Sequence, residues 1–360
     1  MKTVDHKCPS CNASINYNPK DKNWVCEYCG GKFTLEELKA NEENFEHTNV
    51  NNSKELKKEK EEKDNKDENI EMDTYHCQDC GAEIIADKNT AATFCVYCKN
   101  TAILKSRLTD KFSPSKIIPF SKTKEDAIEA FKQVGKSKFL MPKEFSDPKN
   151  IQELTGVYIP FWLYSCKMKG FVSGKGTRVM TWSTYDYYYT KTDTYKVERG
   201  GIYTFDNIPV DGSVRFNDAI MNSIEPFKYE ELEDFNYSYL SGFLAEKYDV
   251  EKNEAKKITI DRAKNSTLDD LQSKARSGGY ATFVASTKET NVEEEKIDYV
   301  LLPVWMVNIK YKDKMYTFAM NGQTGKMIGD IPYSKGKLVL FILILFIIFF
   351  GISALITYFA

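Results

Sequence analysis

The sequence predicts an α+β protein: two N-terminal zinc ribbons, a central α+β domain made of two related halves, and one C-terminal transmembrane helix. Three observations carry this expectation. A four-cysteine spacing occurs twice near the start, strand-like and helix-like segments alternate through the middle, and an uncharged apolar run extends from Leu338 to Phe359.

Under a shift of 69 positions Cys8, Cys11, Cys26 and Cys29 fall on Cys77, Cys80, Cys95 and Cys98, with fourteen residues between the two Cys-x-x-Cys pairs each time. Ala13, Ile15, Tyr28 and Leu35 coincide with Ala82, Ile84, Tyr97 and Leu104 on the same shift, so the repeat is a module. Two such pairs suit tetrahedral zinc, each forming a knuckle that sets two thiolates on one side of the metal. The expected metal content is therefore two Zn2+ ions. A module of about 30 residues buries too little apolar surface to fold alone, and its metal supplies much of the folding free energy. Asn12, Gly30 and Gly81 follow second cysteines where a left-handed backbone is useful.

The alternatives to zinc are disulfides or a dithiol redox pair, and the absence of an opening secretory signal argues for a reducing compartment instead. His6 and His76 adjoin the clusters but do not coincide under the shift, so they are expected to be neighbours and not ligands. Cys166, within "YIPFWLYSC", reads as a buried free thiol.

The expected organisation is a first ribbon at 1–38, a charged flexible linker at 39–73, a second ribbon at 74–108, a cytoplasmic α+β domain at 109–337 and a transmembrane helix at 338–359. The linker mixes both charges in "SKELKKEKEEKDNKDENIEMD" and has almost no large apolar residues. About 35 flexible residues have an r.m.s. reach of about 30–35 Å, so the first ribbon is expected to move freely and the second to dock on the central domain.

In the central region "KTKEDAIEAFKQVGK" and "ELEDFNYSYLSGFLAEKYDVEKNEAKKITIDRAK" read as amphipathic helices, the second broken near Asp249. "GTRVMTWSTYDYYYTKTDTYKVERGG" reads as strands joined near Lys191 to Asp193, and "KMYTFAMNGQTGKMIGDIP" as a hairpin turning through Asn321 to Gly325. "KIIPFSK" echoes "SIEPFKY", and "YIPFWLY" echoes "LLPVWMV" in the same order, which puts Trp162 and Trp305 in equivalent places of two related halves.

The C-terminal run spans roughly 33 Å as a helix, enough for a hydrocarbon core of about 30 Å. Lys335 and Lys337 flank its entrance, and the positive-inside rule places the N-terminal region in the cytoplasm of a single-pass, tail-anchored cell-membrane protein.

The formal net charge is -2, and two four-thiolate zinc sites lower it to about -6, which does not favour nucleic acid as a partner. Catalysis finds little support, because His6, His47 and His76 all lie outside the central region. "GFVSGKGT" has three residues between its glycines where a phosphate loop has four, and Gly176 stands where Ser or Thr binds magnesium. "EEEKID" from Glu293 reads as a solvated loop. The expected protein is a non-enzyme.

The ribbons, "YIPFWLY", "VERGG", "IPVDGS", "MNSIEPF", "YLSGFLAEKYDV", "LLPVWMVN", "FAMNGQTGK" and the terminal helix together resemble a family of bacterial zinc-ribbon membrane proteins. Their ribbons are often labelled as of the transcription-factor-IIB type, and members are sometimes labelled primosomal helicases, a label the missing phosphate loop rules out here. The resemblance implies association with flotillin-like or phage-shock-like membrane-stress proteins. The expected role is a membrane-tethered zinc-binding adaptor that recruits cytoplasmic proteins; the alternative is a membrane-attached nucleic-acid-binding zinc-ribbon protein.

Overall fold

The computed structural model describes residues 7–40, 72–77, 83–87, 89–95, 101–104, 108, 112–138, 140–312 and 314–359. Residues 41–71, which make up most of the charged linker, lie outside them, as do Cys80 and Cys98.

The first ribbon is a three-stranded antiparallel sheet of β1 (Asn16–Asn18), β2 (Asn23–Val25) and β3 (Lys32–Phe33), followed by a short helix α1 at 35–40. Next come β4 (Met72–His76) and β5 (Glu83–Asp87), which pair with each other, and β6 (Thr90–Phe94) and β7 (Thr101–Ile103). The central domain contains β8 (Lys116–Ile117), α2 (Lys124–Ser137), β9 (Ile151–Ser183), β10 (Tyr188–Asp211) and α3 (Asp218–Ser223). It continues through β11 (Glu233–Asp234), β12 (Leu244–Glu246), α4 (Lys252–Arg276), β13 (Thr282–Tyr311), β14 (Lys314–Asn321) and β15 (Met327–Gly329), and α5 (Lys335–Phe359) closes the chain.

β9 and β13 form the spine of a sheet ordered β11-β8-β13-β9-β12-β6-β7, with β10 added to β9 and β14 and β15 added to β13. α2 starts where expected, on a capping box: the Thr123 hydroxyl accepts from the Asp126 N–H while the Asp126 carboxylate accepts from the Thr123 N–H. The hairpin through Asn321 to Gly325 also forms, with Gly325 at φ 83°.

Beyond the domain core β9, β10 and β13 run on together as an arm. At about 3.3 Å per residue the 33 residues of β9 amount to on the order of 100 Å of strand. α4 lies along one face of the arm through a stripe at every fourth position, Ala255, Thr259, Ala263, Thr267, Leu271 and Ala275. All but Leu271 are small, which brings helix and sheet close together. A Cβ at Gly170 would stand 2.4 Å from Thr267 Cγ2, so the glycines of "GFVSGKGT" serve strand packing.

Four expectations require correction. The stretch from Glu231 to Asp249 is not helical: it folds as the 3-10 turn Tyr237–Leu240 flanked by β11 and β12, because Asn236 caps the Ser238 N–H and Ser238, Tyr239 and Leu240 are all buried in succession. The β9–β10 turn lies at Thr184 to Tyr187, where the Thr184 N–H donates to the Tyr187 carbonyl at 2.8 Å; Lys191 and Asp193 stay in the ladder opposite Met180 and Arg178. "EEEKID" is strand, its charge offset by Lys167 at 2.9 Å from Glu294 and by a Lys256–Glu295 pair. The first ribbon is docked: Tyr17 and Trp24 pack on Tyr239 with ring centroids 5.5 and 5.2 Å apart, and the Trp24 Nε1–H donates to the Ser238 carbonyl at 2.7 Å. The aromatic surface of its hairpin outweighs the freedom that a long linker allows.

Two short strands pair in parallel with the two long ones. β8 pairs in parallel with β13 through Lys116↔Val300 and Ile117↔Leu301, and β12 pairs in parallel with β9 through Leu244↔Val157 and Ala245↔Tyr158. "KIIPF" supplies β8, whereas "SIEPFKY" runs from the last residue of α3 toward β11. The N–H groups of Ser121 and Lys122 donate to the Gly322 carbonyl, and those of Asp249 and Val250 to the Gly212 carbonyl.

Candidate metal centre

Each Cys-x-x-Cys pair of the first ribbon sits on the same backbone device. The Cys8 N–H donates to the Ala13 carbonyl at 2.7 Å while the Cys8 carbonyl accepts from the Asn12 N–H at 2.9 Å. Cys26 repeats this with Gly31 at 2.9 Å and Gly30 at 2.8 Å. Closing each knuckle takes a left-handed residue, and Asn12 (φ 61°) and Gly30 (φ 73°) supply it. The paired strands Tyr17↔Trp24 then bring the two knuckles together.

The four sulfurs lie within 4.8 Å of one another, with Cys8 to Cys29 at 3.6 Å and Cys11 to Cys26 at 3.5 Å. A disulfide needs about 2.05 Å, and these cysteines are free. A tetrahedral ion with metal–sulfur bonds of about 2.3 Å sets its sulfurs about 3.8 Å apart, so the cluster fits a four-thiolate metal site with small adjustment. Cys8 and Cys26 are buried and Cys29 is exposed, leaving one side of the cluster at the surface.

Packing the thiols together spreads the acidities of Cys8, Cys11 and Cys29. Burial opposes ionisation of Cys8, but N–H groups of Cys11 and Ser10 and the neighbouring thiols outweigh it and lower the group to about 7. The N–H of Ala13 favours a Cys11 thiolate, yet burial and the crowding of Cys26, Cys8 and Cys29 push it up to about 12. Cys29 is raised as well, although the Gly31 N–H works against the shift. Thiols bind a metal as thiolates, so metal uptake at this cluster releases protons.

Of the second cysteine set, Cys77 and Cys95 are buried in one cluster with Tyr75, Ala86, Ala102 and Leu104; Cys80 and Cys98 lie outside the described residues. His76 is exposed at the end of β4. Cys166 is a buried free thiol facing Ala263 of α4, and burial, with Glu295 and Asp206 nearby, pushes it up.

At the other end of the chain, α5 is long and apolar enough to cross a membrane over Lys335–Ser353, and none of that stretch is buried in the protein. It is fixed to the domain at its start, where the Ser334 N–H donates to the Leu140 carbonyl at 2.8 Å and Lys337 Nζ to the Met141 carbonyl at 2.7 Å. The arm leaves the opposite end of the sheet, since Ile151 pairs with Ile309 near α5 while Thr177 pairs with Thr282 toward the tip. At that tip Met180, Trp182, Tyr185, Tyr187, Tyr188 and Tyr189 are exposed, Trp182 and Tyr189 stacked at 5.5 Å. In the sequence these residues read as ordinary strand formers; their dense aromatic run is the signal that sets them apart.

Fold and site define an α+β protein with an N-terminal four-thiol centre and a C-terminal helix suited to a bilayer. The chain belongs to the same family as the uncharacterized protein YdjG of Bacillus subtilis (strain 168), to which it is 34% identical over 336 residues, 93% of this chain and 92% of that one. No family model and no solved structure matches it.

Proposed function

We propose that the protein is a membrane-tethered zinc-binding adaptor, held in the cell membrane by α5 with its N-terminal region in the cytoplasm, that recruits cytoplasmic proteins to the bilayer. The observation that carries this reading is the aromatic tip, because exposed aromatic clusters of this density mark protein contacts and this one is built at the far end of the sheet from α5. Zinc is the metal that four thiolates in a closed tetrahedral site select, and its role here is structural. The eight cysteines Cys8, Cys11, Cys26, Cys29, Cys77, Cys80, Cys95 and Cys98 hold two ions. The matching pairings of β8 with β13 and β12 with β9 support a central domain made of two copies of one strand–helix–hairpin unit. Partners of the membrane-stress class, flotillin-like or phage-shock-like, follow from the family resemblance.

The test is co-purification from detergent-solubilised membranes with wild type beside a Trp182→Ser/Tyr187→Ser/Tyr188→Ser variant and a Cys26→Ser variant. The adaptor reading expects the tip variant to keep its zinc and its membrane fraction and to lose the captured proteins. Equal capture by wild type and tip variant contradicts it.

A further inference from the structure

One peptide group joins the two ribbons. The carbonyl of Ser241 accepts from the Tyr17 N–H of the first ribbon at 3.1 Å, and the N–H of the next residue, Gly242, donates to Thr101 Oγ1 of the second at 2.9 Å. Gly242 adopts φ 92°, a conformation that side-chain-bearing residues rarely take, and it aims the peptide at both partners. On either side the same short segment is pinned to each module. Ser238 accepts the Trp24 indole, Tyr239 packs on Tyr17 and Trp24, and the Tyr237 hydroxyl donates to the Leu108 carbonyl at 3.0 Å. Both hydrogen-bonding ends of the shared peptide are sequestered: Thr101 is 6% exposed and Ser241 0%.

We infer that the segment from Asn236 to Phe243 is a clamp that couples the two cysteine modules, so that metal loss at Cys8, Cys11, Cys26 and Cys29 loosens the second ribbon through the Ser241–Gly242 peptide. The inference rests on the reading that these cysteines hold a metal. Without it the knuckles that fix the β1–β2 hairpin have nothing to close on, and Tyr17 and Trp24 lose their fixed pose on Tyr239. Hydrogen bonds in a chain polarise one another, and the peptide that loses Tyr17 at its oxygen binds Thr101 less well at its nitrogen. Phe243, stacked on Phe120 at 4.1 Å, then anchors only one end of the segment.

Hydrogen exchange on the full-length protein in detergent tests this, with metal content measured on the same samples. Trp24→Ala leaves all four thiols in place; the clamp predicts unchanged metal content and exchange faster by about tenfold both in 236–243 and in 101–104. Thr101→Val probes the other direction and predicts faster exchange at the Tyr17 amide, together with faster loss of first-site metal to a chelator. Acceleration confined to the mutated module in both variants overturns the coupling. A wild-type protein without metal overturns the metal reading instead, and the exchange data on Thr101→Val still decide whether the peptide couples the modules.

Discussion

Trp162 and Trp305 make the same bond from the two spine strands β9 and β13: the indole N–H of Trp162 donates to the Val250 carbonyl at 2.9 Å, and that of Trp305 to the Lys122 carbonyl at 2.8 Å. Each accepting residue stands two positions before the start of a helix, α4 and α2 respectively. The two tryptophans therefore tie β9 to the entry of α4 and β13 to the entry of α2. Replacing either by Phe keeps most of the packing and strands one carbonyl, which is expected to cost about 1–3 kcal/mol. Denaturant unfolding of each single variant checks this, and the two losses should agree to within about 1 kcal/mol.

Asp211 offers a pH signature. It is buried with Oδ2 lacking a partner, whereas Asn321, at the matching end of β14, donates from Nδ2 to the Ile224 carbonyl at 3.1 Å. Burial first, then the nearby Asp218, Asp249 and Glu246, push Asp211 up to about 7 against the Ser213 N–H. Because its folded value lies above its unfolded one, stability is full below about pH 4 and is lost as pH rises toward 7. Asp211→Asn is expected to be more stable than wild type by about 1–3 kcal/mol at pH 8 and to converge with it near pH 4. Melting curves across that range supply the comparison; a difference that does not change with pH contradicts the assignment.

Gly170 is predicted to tolerate no side chain without cost. Gly170→Val drives a Cβ toward Thr267 and Leu271 and should lift α4 from the arm, lowering stability by about 2–3 kcal/mol or more. Thr267→Ala should recover part of that loss. Absence of any rescue places the clash elsewhere.

The proposed anchor, α5, is hydrophobic, so the protein is expected to stay in the membrane fraction through high-salt and alkaline washes. Truncation after Lys337 keeps the Lys337–Met141 contact and should release a soluble, folded fragment. A protease added outside intact cells is expected to spare the ribbons.

What the sequence made readable was local chemistry. A Cys-x-x-Cys knuckle is complete within six residues, as from Cys8 to Ala13, and α2 shows in the helical periodicity of its own segment. α5 is legible from composition alone. The Glu231–Asp249 stretch misled because its conformation is set from far away: Ser238 answers to Trp24, 214 positions upstream, and Gly242 to Thr101. Docking of the first ribbon was hidden for the same reason, since linker length speaks only of what the chain permits. In the arm, Glu293 to Glu295 looked solvent-bound until Lys167 and Lys256 supplied neighbouring charges from other elements.

The most direct test is elemental analysis of the full-length protein purified without oxygen, wild type beside Cys26→Ser. The zinc-ribbon account predicts two zinc ions per chain in the wild type and about one in the variant. Wild-type protein with no zinc, or with iron in its place, contradicts it.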